Sequence, residues 1–205
     1  MSDDATLQWA EARTLLEIGE LTAQWLKGRF PKSPWYIGEP DPETTEIVPV
    51  LAALNRIGFV TTMSQPGRGL SEEYAQRAEV SGYTSRKLAD HLEAATCMTD
   101  LVMLKLPAVK VRSSIPITIR TQGVASDFRT RLPASPAYSF AGSSSSIKKL
   151  RSLYSEGPAD LGYPSLSDEA IALMAHSERV TIIDPVWGRL ELLWSVLGEV
   201  ASRLR

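Results

Sequence analysis

The sequence predicts an α+β or mixed α/β fold, with a central mixed, largely antiparallel sheet and helices packed on one or both of its faces. Three observations carry this. Residues 6–27 and 190–204 repeat apolar side chains at helical spacing, while 59–64 and 180–183 are β-branched runs of strand character. The order of elements (helix, helix, strand, strand, helix, strands, helix, helix, strand, helix) fits helices layered on a sheet. With 205 residues and 43% hydrophobic content, the chain can bury one sizeable core, so a single domain over 1–205 is expected.

The first helix spans 6–27, with Leu7, Thr14, Ile18, Leu21 and Trp25 on one face and Gly28 as its left-handed stop. Residues 30–42 hold four prolines and form an irregular connection that displays Trp35 and Tyr36. Asp41-Pro42-Glu43 is a helix-start signature, and the helix runs to Ile57, with Pro49 either kinking it or marking its true start. The strand at 59–64 is followed by the turn Ser64-Gln-Pro-Gly-Arg-Gly69, a pairing strand at 76–82 and a helix at 85–98. Residues 101–106, 108–112 and 115–122 read as successive strands, and 129–141 as loop. A serine-capped helix covers 143–154, and Ser165 or Ser167 caps a short helix to His176. Residues 180–183 form the clearest buried strand, and the last helix sets Leu190, Leu193, Trp194, Leu197, Val200 and Leu204 on one face.

Composition narrows the function classes. Cys97 is the single cysteine, so no disulfide forms within the chain, which fits a cytoplasmic location. The acidic start MSDDATLQ lacks the apolar stretch of a secretory signal, and no apolar run is long enough to span a membrane, so no membrane partner is expected. His91 and His176 are the two histidines, and no His or Cys pair has metal-ligand spacing, so no metal site is expected. No Walker lysine loop, Gly-x-Gly-x-x-Gly fingerprint or Gly-x-Ser-x-Gly elbow is present, and no cofactor is implied.

Charge is the strongest functional signal. Lys105, Lys110, Arg112, Arg120, Arg129, Arg131, Lys148, Lys149 and Arg151 lie between 101 and 155 against the single acid Asp127. That stretch is +8 in a chain of net −2, and the remainder holds 13 basic against 23 acidic residues. A like-sign field of this density attracts anions. In the predicted strands basic and apolar residues alternate, which places Lys105, Lys110, Arg112 and Arg120 opposite the core. The serines before Ile147-Lys-Lys offer a helix N-terminus to an anion, with Lys148 and Lys149 adding charge; a solvated helix face is the plainer reading.

A second candidate site uses loops at strand ends. Ser64, Gln65 and Arg68 follow one strand, and Asp184, Trp187 and Arg189 follow another. Arg68 and Arg189 suit a carboxylate or phosphate, and Asp184 a base or a cation ligand. The plainer alternatives are an ordinary Pro-Gly turn and an Asp-Pro turn that caps the last helix.

Three segments together resemble a known family: Trp9-x-x-Ala-Arg-Thr-Leu-Leu-Glu-Ile-Gly-Glu-Leu-Thr-Ala-Gln-Trp-Leu, Asn55-x-x-Gly-Phe-Val-Thr-Thr-x-Ser-Gln-Pro-Gly67, and Asp184-Pro-Val-Trp-Gly-Arg189. The family is an uncharacterised one of about this length from actinobacteria. The resemblance covers nearly the whole chain and implies a bacterial cytosolic protein of one domain. It brings no activity and no functional residue.

Three functions follow as expectations. The first is a binding protein for an anionic partner, nucleic acid or a nucleotide-like ligand, held by a basic sheet face in 101–155. The second is a small hydrolase or transferase acting on a phosphorylated or carboxylated metabolite, which requires loops 64–69 and 184–189 to be neighbours. The third is an interaction module of a bacterial defence or toxin–antitoxin pair, whose basic face meets an acidic protein.

Overall fold

Thr14 divides the first predicted helix in two. The computed structural model describes residues 3–69, 74–106, 115–120, 137–140, 147–154 and 162–205, and begins with α1 (Asp3–Glu11) and α2 (Leu15–Leu26). The Thr14 hydroxyl accepts from the Glu17 amide at 3.1 Å, and the Glu17 carboxylate accepts from the Thr14 amide at 2.9 Å. This reciprocal cap starts a new helix where helical spacing alone runs on. The break turns α1, so Leu7 is 54% exposed and Trp9 is buried in its place.

The proline-rich connection forms the short hairpin β1 (Lys32–Ser33) and β2 (Tyr36–Ile37). A 3-10 turn, Pro42–Ile47, then leads into α3 (Val48–Arg56), with Pro49 in the first helical turn. There its missing amide removes no helical hydrogen bond, so Pro49 marks a start and not a kink. Helix α3 packs on α2 at close range: a Cβ on Gly19 would lie 2.1 Å from the Asn55 carbonyl oxygen. The Asn55 side chain is buried, donates to the Leu51 carbonyl and the Thr61 hydroxyl at 2.8 Å each, and accepts from the Thr61 amide at 3.0 Å. It thereby ties α3 to the following strand.

That strand is β3 (Val60–Gln65), at the edge of a four-stranded sheet of order β3-β5-β9-β6, with β5 (Glu79–Thr84), β6 (Val102–Leu106) and β9 (Glu178–Ile183). All of its pairings are antiparallel, so the expected mixed sheet is wholly antiparallel. A second sheet, also antiparallel, has the order β4-β7-β8, from β4 (Tyr74–Gln76), β7 (Pro116–Arg120) and β8 (Ala137–Phe140). The single strand expected at 76–82 is thus shared between two sheets. Strand β8 lies in a stretch read as loop, because four residues after Pro136 are too few to show a period. The strand expected at 108–112 lies outside the described residues.

The remaining helices are α4 (Arg86–Thr96), α5 (Ile147–Tyr154), α6 (Asp168–His176) and α7 (Leu192–Arg203). Ser85 and Ser167 cap α4 and α6 with hydroxyls that accept from Leu88 and Ala170 amides at 3.2 and 3.1 Å. Helix α7 starts after Leu190, which is half-exposed, while Leu193, Trp194, Leu197 and Val200 are buried as expected.

One face of the main sheet, through Val80, Val180, Ile182 and Met103, joins the helical core of Ile18, Leu51, Leu54, Leu92, Leu193 and Leu197. The register puts Glu79, Ser81, Thr181 and Ile183 on the other face. There Ile183 packs with Ile117 of β7, and Ser81 donates to Glu79 at 3.0 Å while its oxygen lies 2.7 Å from that of Thr181. Below it, Arg179 donates to the Thr62 hydroxyl at 2.7 Å and stands 4.7 Å over the Tyr83 ring.

An aromatic chain runs along the main core. Tyr154 meets Trp35 edge-on at 5.9 Å, and Trp35 meets Trp9 at 5.7 Å. Trp35 therefore folds back from its loop onto the core. Burial pushes the Tyr154 phenol from 10.0 up to about 12, with Tyr83 adding to the shift and Arg179 opposing it. The folded state thus holds a proton that the unfolded chain gives up above pH 10.0. Stability from this group is full below that pH and is lost as pH rises toward about 12. Thermal melts across this window are expected to show a smaller loss of Tm for Tyr154→Phe than for the wild type; equal losses would contradict this assignment.

Candidate functional site

The loops that leave β3 and β9 emerge side by side, because β5 pairs antiparallel with both strands and begins where both end. A Cβ on Gly67 would lie 2.6 Å from the Arg189 carbonyl oxygen, and one on Gly188 (φ +72) would lie 2.5 Å from the Gly69 Cα. Both sites demand glycine, by close approach at the first and by approach and backbone sign at the second. Residues 76–78 lace the two loops together. Arg68 and Gln76 exchange backbone hydrogen bonds of 2.9 and 3.0 Å, Gln65 donates to the Arg77 carbonyl at 3.2 Å, and the Asp184 amide donates to the Ala78 carbonyl at 2.9 Å. The condition for a pocket shared by loops 64–69 and 184–189, that they be neighbours, is met.

The electrostatics of this junction are closed on themselves. Asp184 is fully buried; one oxygen accepts from the Val186 amide at 2.9 Å and the other from Arg189 Nε at 2.6 Å. Asp184 forms this short turn and does not cap α7, whose N-cap position is Glu191. Arg189 also donates to Asp100 at 2.6 Å. The guanidinium holds Asp100 below the usual carboxylate range, and the two carboxylates hold Arg189 above its ordinary value. A general base needs an oxygen within reach of a substrate proton. Asp184 is buried with no exposed oxygen, so a substrate would reach it only if the surrounding loops opened. Arg68 pairs with Glu43 at 3.3 Å, with both side chains partly exposed.

Arg77 is the cation of this junction that sequence reasoning missed. Its guanidinium stacks 4.3 Å over the Trp187 ring and donates to the Pro116 carbonyl at 3.0 Å. Burial draws its pKa down, and Asp184 opposes that shift. Among the described residues it makes no ion pair.

Beside the junction, edge strand β3 forms one wall of a cleft of about 230 Å³. Thr61, Thr62, Met63, Ser64 and Gln65 line that wall. Facing it are Trp25 at the end of α2, Trp35 and Tyr36 of the hairpin, and Asp41, Glu43 and Thr44 at the start of the 3-10 turn. The Trp25 and Tyr36 rings are 5.8 Å apart and inclined at 49°. Trp25 donates its indole N–H to the Gly38 carbonyl at 2.9 Å, and Tyr36 donates its hydroxyl to Asp41 at 2.7 Å. Ser64 and Gln65 thus belong to the cleft as much as to the junction.

The basic stretch is divided. Lys105 does not stand opposite the core: its register partner is Val180 of the helical face, and it reaches Glu93 at 2.6 Å and Asp90 at 3.4 Å on α4. Arg151 pairs with Asp168 at 3.1 Å. Lys148 and Lys149 are exposed on α5. Arg120 ends β7, with its backbone opposite Tyr74. Lys110, Arg112, Arg129, Arg131 and the serines before Ile147 lie outside the described residues.

A family model described as a domain of unknown function (DUF6919) matches residues 4–203. The chain belongs to this family. Among curated proteins, none matches the sequence. The three segments that carried the resemblance meet in space: Gly19 of the first rests on Asn55 of the second, and Gly67 of the second rests on Arg189 of the third. They form the frame of the fold around the junction. No helix of the described residues is long and apolar enough to cross a membrane, and no group of three or more His, Cys, Asp or Glu among them is placed to hold a metal ion.

Proposed function

We propose that this DUF6919 member is a binding protein for an anionic partner, nucleic acid or a nucleotide-like ligand, and that the basic residues between 101 and 155 bind it. The observation that carries this is charge segregation: +8 in that stretch against an acidic remainder. Lys105 pairs with Glu93 and Arg151 with Asp168; the role is assigned to Lys110, Arg112, Arg120, Lys148 and Lys149, of which the last two are exposed on α5. Helix α5, IKKLRSLY, has no acid in its own sequence. A bacterial cytosolic setting, actinobacterial by the resemblance, belongs to the same reading and rests on the lone Cys97.

The hydrolase or transferase reading draws support from the adjacency of loops 64–69 and 184–189. It stands second because the Asp184–Arg189 pair is spent on structure. An acidic protein in place of a nucleic acid is the remaining occupant of the basic residues.

A thermal-shift screen against DNA, RNA, nucleotides and sugar phosphates at low salt tests the reading, because a ligand of the native state raises Tm by mass action. The expected result is a rise with a polyanion that fades with added salt. Lys148→Glu with Lys149→Glu is expected to reduce the slope of log K against log salt by about 2, one for each phosphate that a lysine no longer neutralises. A small dicarboxylate or sugar phosphate whose shift survives salt would favour the enzyme instead.

A further inference from the structure

We propose that the cleft between the β1–β2 hairpin and edge strand β3 binds a small organic cation, an ammonium group bearing methyl or methylene substituents. Its lining holds Trp25, Trp35 and Tyr36 together with the carboxylates of Asp41 and Glu43, and contains no lysine, arginine or histidine. The faces of aromatic rings attract a cation, most strongly one that sheds its water readily. A carboxylate beside them supplies the counter-charge and repels anions.

The geometry distinguishes the two acids. Glu43 is already paired with Arg68, which does not line the cleft, whereas Asp41 makes no ion pair among the described residues. The Tyr36 hydroxyl fixes one oxygen of Asp41 at 2.7 Å, leaving the other for a ligand. Trp25 has committed its N–H to Gly38, so what it offers a ligand is ring surface. The volume of about 230 Å³ lies below the range of roughly 300–1,000 Å³ typical of drug-sized ligands, which suits a head group. The inference is independent of the anion-binding reading and concerns the opposite sign of charge.

The test uses the full chain labelled with ¹⁵N and follows its five tryptophan indole signals. Tetramethylammonium chloride is titrated, with potassium chloride as the ionic control and 3,3-dimethylbutan-1-ol as the uncharged isostere of choline. The expected result is saturable movement of the Trp25 and Trp35 signals with tetramethylammonium alone, while Trp187 and Trp194 stay still. Asp41 is exposed and its side chain makes no cap hydrogen bond, so Asp41→Asn keeps the fold. It is expected to weaken binding about tenfold, and Tyr36→Leu by a similar factor. Choline compared with a trimethyllysine peptide tells a free metabolite from a protein side chain. No saturable shift, an equal response to the uncharged alcohol or to a monosaccharide, or unchanged affinity in Asp41→Asn would each overturn the proposal.

Discussion

Arg189→Ala is expected to lower Tm by roughly 6–12 °C. The substitution leaves Asp184 fully buried without its hydrogen-bonded cation, with only the more distant charge of Arg77 to offset it. Removing one partner of a buried pair costs about 3 kcal/mol at the lower end of the usual range, which suits an arginine that is itself partly exposed. For a domain of this size each kcal/mol is worth about 2–4 °C. The loss should be largely electrostatic. Asp184→Asn keeps an oxygen for the Val186 amide and removes the charge, so the double variant Asp184→Asn with Arg189→Ala should recover much of the loss. Calorimetric melts of the three variants measure this. A drop below about 1 kcal/mol for Arg189→Ala would be the size of an exposed pair and would show that Asp184 is not buried as described.

The second large effect comes from Gly19→Ala. In a helix interior this exchange ordinarily stabilises by about 1 kcal/mol. Here the added Cβ would lie 2.1 Å from the backbone carbonyl oxygen of Asn55, which no side-chain rotation relieves. Helices α2 and α3 must separate, and the Asn55 bonds to Thr61 go with them. A loss of about 3 kcal/mol is expected, the upper range for overpacking. Gly198→Ala in α7 is the matched control, since its nearest neighbour is a Val50 methyl at 3.7 Å, an ordinary van der Waals distance. It should be neutral or stabilising. The urea unfolding midpoint should fall for Gly19→Ala and hold or rise for Gly198→Ala, and a midpoint unchanged or raised in Gly19→Ala would contradict the close approach of the two helices.

Periodicity revealed the elements whose pattern is local. The β-branched run of β9 was legible because the strand is buried on both faces and so reads as a near-continuous apolar run, and α7 because its apolar residues share one face. The division of the first helix was not, because the Thr14–Glu17 cap interrupts a spacing that continues across it. At the site, the loops after β3 and β9 read correctly as strand ends. Their meeting depends on β5 pairing with both strands, a long-range fact that no local pattern carries. Asp184 and Arg189 were singled out for the residue types that also make a structural clamp; only burial and the 2.6 Å bond separate the two roles. Arg77 read as one residue of a strand and is instead the pivot between two sheets. Asp41 carried a helix-start signature, yet its side chain serves Tyr36 and the cleft. Of the nine basic residues, Lys105 and Arg151 find acids on other elements, which charge counting along the chain does not register.

The central claim is that the basic stretch holds a phosphate-bearing partner. Its most direct test is the fluorescence anisotropy of a labelled single-stranded oligonucleotide titrated with the full chain between about 50 and 200 mM salt. The account predicts saturable binding at the lower salt that weakens steeply as salt rises, with a shallower slope for Lys148→Glu with Lys149→Glu. Absence of binding at about 50 mM salt to single- or double-stranded nucleic acid and to nucleotides alike would contradict it, since attraction between lysines and phosphates is strongest there.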